Sequence, residues 1–95
     1  YIMDHNIMRF AQLAVRVWGC QMDFEHPELT ARAGIGKLKV FWTSLGMPAS
    51  LKEIGGKEED IPELLAGLQI EEGAEGSFVL LKREECEAVY RLAYR

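Results

Sequence analysis

The stretch Asn6–Trp18, NIMRFAQLAVRVW, limits the fold more than any other part of the chain. Projected at about 100° per residue, Arg9, Gln12 and Arg16 fall in one narrow sector, with His5 just upstream. The rest of the wheel is apolar: Ile7, Met8, Phe10, Ala11, Leu13, Ala14, Val15, Val17 and Trp18. A surface helix ordinarily carries one apolar stripe on polar ground. Here the proportions are reversed. Such a helix needs neighbours on several sides, so it is expected to be the central helix of a larger helical domain.

Whether the chain can supply those neighbours depends on its size. Ninety-five residues suit one domain, and a domain of this size buries roughly two-thirds of its unfolded surface. Hydrophobic residues make up 48%, enough for a packed core and too many for a disordered chain. The net charge of −4, with 11 basic residues scattered and never in a run, disfavours nucleic acid or an anionic membrane as partner. Cys20 and Cys86 form no CxxC pair, which favours a reducing, cytoplasmic setting over a disulfide framework. No apolar run reaches membrane-spanning length. The opening Tyr1-Ile2-Met3 lacks an initiating Met and a signal peptide, so the chain is expected to be cut from a longer protein.

An all-α fold is expected, with three principal helices near residues 6–18, 27–45 and 83–94 and two short ones. Asn6 or Asp4 can cap the first, and Gly19 can stop it. Pro27 suits the first turn of the second. That helix gathers Ala31, Gly34, Ile35, Leu38, Phe41, Trp42 and Leu45 on one face, opposite Glu28, Arg32, Lys39 and Thr43. Gly34 on the apolar face implies close approach of another helix; Gly36 lies off that face and has no such explanation. Gly46 and Pro48 end the helix. Ser50 and Glu53 form a capping box that opens one or two turns before Gly55-Gly56. Asp60 and Pro62 start a short helix with Leu64, Leu65 and Leu68 inward. Gln69–Ser77 reads as loop. Phe78–Leu81 reads as an extended lead-in that pins the last helix to the core. Cys86, Val89, Tyr90 and Ala93 face inward from that last helix, with Glu87 and Arg91 paired outside. No internal domain boundary is visible.

Residue chemistry alone points to no active site. His5 has no second ligand at i+3 or i+4, and His26 stands alone before a proline, so neither makes a metal signal. Cys86 reads as a small core residue and Cys20 as inert; neither has a visible base or cationic setting to make it a nucleophile. Glu58-Glu59-Asp60 reads as an acidic helix start. Gly34-Ile35-Gly36 follows no strand and lacks the remainder of a GxGxxG loop. No catalytic, cofactor-binding or metal residue is assigned.

The order of short motifs is more informative. Tyr1, Asp4 and Asn6 precede RFAQLAVRVWG at Arg9–Gly19. Next come Gly34-Ile35-Gly36-Lys37-Leu38 and Phe41-Trp42-Thr43-Ser44-Leu45-Gly46-Met47-Pro48. Leu51-Lys52-Glu53-Ile54-Gly55, the acidic start Glu58–Pro62 and a closing Tyr90-Arg91-Leu92-Ala93 complete the series. In this order the motifs resemble the C-terminal part of iron-containing alcohol dehydrogenases of the butanol-dehydrogenase-like branch, over essentially all 95 residues. The chain departs from that pattern at Ile7, where Pro is common. It departs also at Lys82, where a capping Thr, Ser or Asp is favoured, and at Gly36, where a charged helix former is usual.

The resemblance implies an α/β nucleotide-binding half joined to a helical half, NAD or NADP as cofactor, and iron or zinc held by Asp and His side chains ahead of the matched segment. No ligand carries over; His5 stands where that family shows none. Residues 1–95 would be the distal part of the helical half, structural and inactive alone. The expected partners are the remainder of the parent chain and, in its absence, a second copy meeting the apolar first helix. The alternative is a free-standing helical interaction module with a groove for an amphipathic partner helix.

Overall fold

The computed structural model describes residues 1–68, 76 and 78–95. Those residues form four α-helices and two 3-10 turns, with no strand among them. The helices are α1 (Ile7–Arg16), α2 (Pro27–Ser44), α3 (Ile61–Gly67) and α4 (Arg83–Tyr94). The 3-10 turns, Met3–His5 and Glu58–Asp60, lead into α1 and α3. The chain divides into two compact units, Ile2–Met47 and Pro48–Arg95, with Tyr1 grouped in the second. The sequence signals no such boundary.

In the first unit α1 packs against α2. Asn6 is the cap of α1, its Oδ1 accepting from the Arg9 N–H at 3.3 Å. The Ala14 carbonyl accepts from both the Trp18 and Cys20 N–H groups, which closes the far end. The contact with α2 is made by small residues: Ala11, Ala14, Ala31 and Gly34 are all buried. A Cβ placed on Gly34 would lie 2.5 Å from the Ala14 Cβ and 2.9 Å from its Cα. Gly34 therefore sits where it does because the two backbones nearly touch, as its place on the apolar face implies. Trp18 and Phe41 extend the contact, with ring centroids 5.6 Å apart and tilted by 54°.

The end of α2 is closed by a complete Schellman arrangement. Gly46 adopts φ +77°, the Met47 N–H donates to the Trp42 carbonyl, and the Gly46 N–H donates to the Thr43 carbonyl. The start of α2 is held by a device the sequence reading missed. Thr30 is buried, and its Oγ1 accepts from the Asp23 N–H at 2.9 Å and donates to the Gln21 carbonyl at 3.4 Å. Asp23 in turn accepts from the Glu25 and His26 N–H groups. One hydroxyl thus latches the α1–α2 connection onto the first turns of α2.

In the second unit Ile61, Leu65 and Cys86 form a buried cluster joined by Leu68, Leu81 and Tyr90. Leu81 is the anchoring end of the expected lead-in, while Phe78 and Leu80 point outward. The capping contacts at Ser50 form: its Oγ accepts from the Glu53 N–H, and Glu53 accepts from the Ala49 N–H. The expected short helix does not follow, and residues 51–55 make turns instead. The four residues between Ser50 and Gly55-Gly56 gain too few i→i−4 bonds to offset helix nucleation. Its first N–H groups go elsewhere, from Leu51 to the Ala93 carbonyl and from Lys52 to the Tyr94 carbonyl. They satisfy carbonyls at the end of α4. The loop expected over Gln69–Ser77 falls outside the described residues except for Gly76.

Candidate functional site

Each residue weighed for chemistry has an identifiable place. His5 ends the first 3-10 turn and is exposed. His26 is the N-cap residue of α2, with its Nδ1 3.6 Å from the Glu28 carboxylate. Among the described residues no three His, Cys, Asp or Glu side chains converge as a metal site would require. The donor set among the described residues therefore does not fit the iron or zinc that the resemblance implies. Cys86 is buried in the α3–α4 cluster, its Sγ donating to the Leu81 carbonyl at 3.8 Å. Cys20 is a half-buried free thiol. Gly34-Ile35-Gly36 lies in the middle of α2.

The acidic start of α3 is structural. Asp60 Oδ2 accepts from the Lys57 N–H at 2.9 Å. Glu58 accepts from Arg91 Nη1 at 3.0 Å, while Arg91 Nη2 and Nε donate to Glu87 Oε1 at 2.7 and 3.2 Å. The hydrogen bonds and charge of Glu87, with Glu58 contributing less, push the Arg91 guanidinium pKa above its ordinary value. The expected Glu87–Arg91 pair is present, and through Glu58 it also ties α4 to the turn before α3. At Lys82, where the family favours a capping side chain, Glu85 compensates by accepting the Lys82 N–H.

The feature with recognition chemistry is the polar sector of α1. Arg9, Gln12 and Arg16 line an open groove of about 570 Å³. Met8, Val15, Met22 and Phe24 supply its apolar lining. Phe24 is 87% exposed. Among the described residues neither arginine makes an ion pair. Gln12 is their shared neighbour: its oxygen accepts from Arg9 Nη1 at 3.5 Å or, with the amide turned over, from both Arg16 Nη groups at 3.1–3.2 Å. The sequence shows the arginine sector but not Met22 and Phe24, which reach the groove only through the path of the connection that Thr30 latches.

The apolar remainder of α1 is poorly covered. Only Ala11 and Ala14 are buried, while Leu13 and Val17 are 50% and 60% exposed. On α2, Ile35, Phe41 and Leu45 of the expected inner face are exposed as well. The helix expected to be surrounded packs, among the described elements, mainly against α2.

Comparison with known proteins gives this helical architecture a class. Probable NADH-dependent butanol dehydrogenase 2 of Bacillus subtilis is 33% identical over 94 residues, covering 96% of this chain and 24% of that protein. Probable NADH-dependent butanol dehydrogenase 1 of the same organism is 32% identical, covering 96% of the chain and 23% of its own length. NADH-dependent butanol dehydrogenase A of Clostridium acetobutylicum is 27% identical, covering 99% and 24%. No family model and no solved structure matches the chain. The chain is thus a relative of alcohol-oxidising dehydrogenases. More narrowly, it is related to the butanol-dehydrogenase-like branch of the iron-containing alcohol dehydrogenases that its motifs resemble, and it spans about a quarter of the length of the curated relatives it matches. Among the described residues, no helix is long and apolar enough to cross a membrane.

Proposed function

We propose that these 95 residues are the C-terminal helical part of a cytoplasmic alcohol oxidoreductase that interconverts an alcohol and its aldehyde or ketone with a nicotinamide cofactor and a divalent metal. In this reading the chain is scaffold and does no chemistry alone. The observation that carries it is the match of nearly the whole chain to about a quarter of three butanol dehydrogenases, two of them above 30% identity. The relatives' names favour NADH as the cofactor. Hydride transfer needs a cofactor held against the substrate carbon and a positive group at the oxygen. Nicotinamide sites of the Rossmann type use a strand, glycine turn and helix, and the described residues hold no strand. His5 and His26 are separated by the whole of α1. Bringing them together as ligands would unwind the helix on which the first unit is built.

The assay mixes the purified chain with iron or zinc, NADH or NADPH, and butyraldehyde, and follows absorbance of the reduced cofactor. No turnover by the 95 residues is expected, with metal-dependent turnover by the chain extended ahead of Tyr1. Metal-dependent turnover by the short chain that His5→Ala abolishes would overturn the scaffold reading.

A further inference from the structure

The groove on α1 combines apolar side chains with two arginines. Its α1 side is built from Met8, Arg9, Gln12, Val15 and Arg16, which span just over two helical turns. A surface lined over two turns of one helix suits another helix laid beside it. Met8, Val15, Met22 and Phe24 are apolar, so burying them favours association. Two guanidinium groups share the groove without a carboxylate partner among the described residues, and burying either one unpaired would be costly. The occupant must therefore be apolar on the face it presents and must carry acids that meet Arg9 and Arg16. These arginines are seven residues apart, roughly 10.5 Å along the axis and nearly on one line. Facing carboxylates on a second helix would be spaced likewise, at i and i+7.

We propose that this groove receives an amphipathic helix with carboxylates two turns apart, supplied by the part of the longer oxidoreductase chain that precedes Tyr1. The proposal rests on the function inferred above. The relatives hold about three-quarters of their length outside the matched region, ample chain to supply the helix. A small anion is a poorer occupant, because the groove is open and its apolar lining would stay wet. Arg–carboxylate contacts made there would be charge-assisted and geometrically specific, fixing the register of the incoming helix against α1.

The test uses the longer chain carrying Arg9→Lys and Arg16→Lys. These substitutions keep both charges and supply amines that a zero-length carbodiimide can join to a touching carboxylate. Mass spectrometry then reads which peptides are joined. The expected products link position 9 and position 16 to acids seven residues apart within one segment preceding Tyr1. Linkage only to carboxylates within residues 1–95, linkage to an isotope-labelled second copy, or no linkage at either position would each overturn the proposal. Activity of the same sample with NADH and butyraldehyde separates the two claims. An active protein without the cross-links sinks the docking helix and leaves the function standing; cross-links in an inactive protein do the reverse.

Discussion

Gly34→Ala should destabilise the Ile2–Met47 unit, although the substitution improves helix propensity. The added methyl carbon would lie 2.5 Å from the Ala14 Cβ and 2.9 Å from the Ala14 Cα. Carbon atoms in good contact sit roughly 3.5–4.0 Å apart, so α1 and α2 would have to part by about 1 Å. Neither obstructing atom is the end of a flexible side chain, so no rotamer change relieves the clash. Overpacking of this kind costs about 1–3 kcal/mol, and contact with backbone puts this site near the top of that range. Alanine in place of glycine in a helix interior returns about 1 kcal/mol. The net expectation is a loss of about 2 kcal/mol, which is large beside the total stability of a small domain. Urea denaturation followed by far-UV circular dichroism measures it. Ala14→Gly in the Gly34→Ala background removes one of the two clashing atoms. The pair should then show a favourable coupling of about 1 kcal/mol or more in a double-mutant cycle. A neutral or stabilising Gly34→Ala, or strict additivity with Ala14→Gly, would refute the close-approach account.

Gly36→Ala should instead raise the denaturation midpoint by the equivalent of about 1 kcal/mol, because a Cβ there meets nothing within 4 Å. Thr30→Val should lower stability by about 1–3 kcal/mol, since it keeps the shape but leaves the Asp23 N–H without its acceptor; hydrogen exchange should quicken first at Asp23. The 95-residue chain should self-associate in sedimentation through α1, because its exposed Leu13, Val17 and neighbouring α2 side chains offer an apolar surface. A monodisperse, thermally robust monomer is the contrary result.

The elements most legible in the sequence were those whose ends carry their own chemistry. The last helix was expected near 83–94 and is α4, Arg83–Tyr94. The second was expected over 27–45 and is Pro27–Ser44, bounded by Pro27 at one end and Gly46 at the other. For the first helix, the cap at Asn6 and the polar sector were readable, but its degree of coverage was not. Periodicity reports which side chains are apolar, not whether a neighbour exists to bury them. The result is a contact made by alanines and Gly34, with the larger apolar residues left outside. The Ser50–Glu53 signal was also real, yet it makes a turn because Gly55-Gly56 come too soon. Thr30 was invisible for a different reason. Its partners, Gln21 and Asp23, lie seven to nine residues back in an irregular connection, where no repeat or spacing rule applies. The groove shares that limit: Arg9, Gln12 and Arg16 were legible as a sector, whereas Met22 and Phe24 join them only through tertiary structure.

The central claim is that α1 is a helix built to be covered by more protein than the described residues of its own unit supply. Native-state hydrogen exchange of Ile7–Arg16 tests it most directly, measured in the 95-residue chain at concentrations where it is monomeric and again in the chain extended ahead of Tyr1. Amides that open by local fluctuation exchange fast, and those in a covered core element exchange only with global unfolding. The account predicts weak protection of Ile7–Arg16 in the short chain and core-level protection in the longer one. Equally strong protection in both would show that α2 alone suffices to stabilise α1, and would contradict the claim.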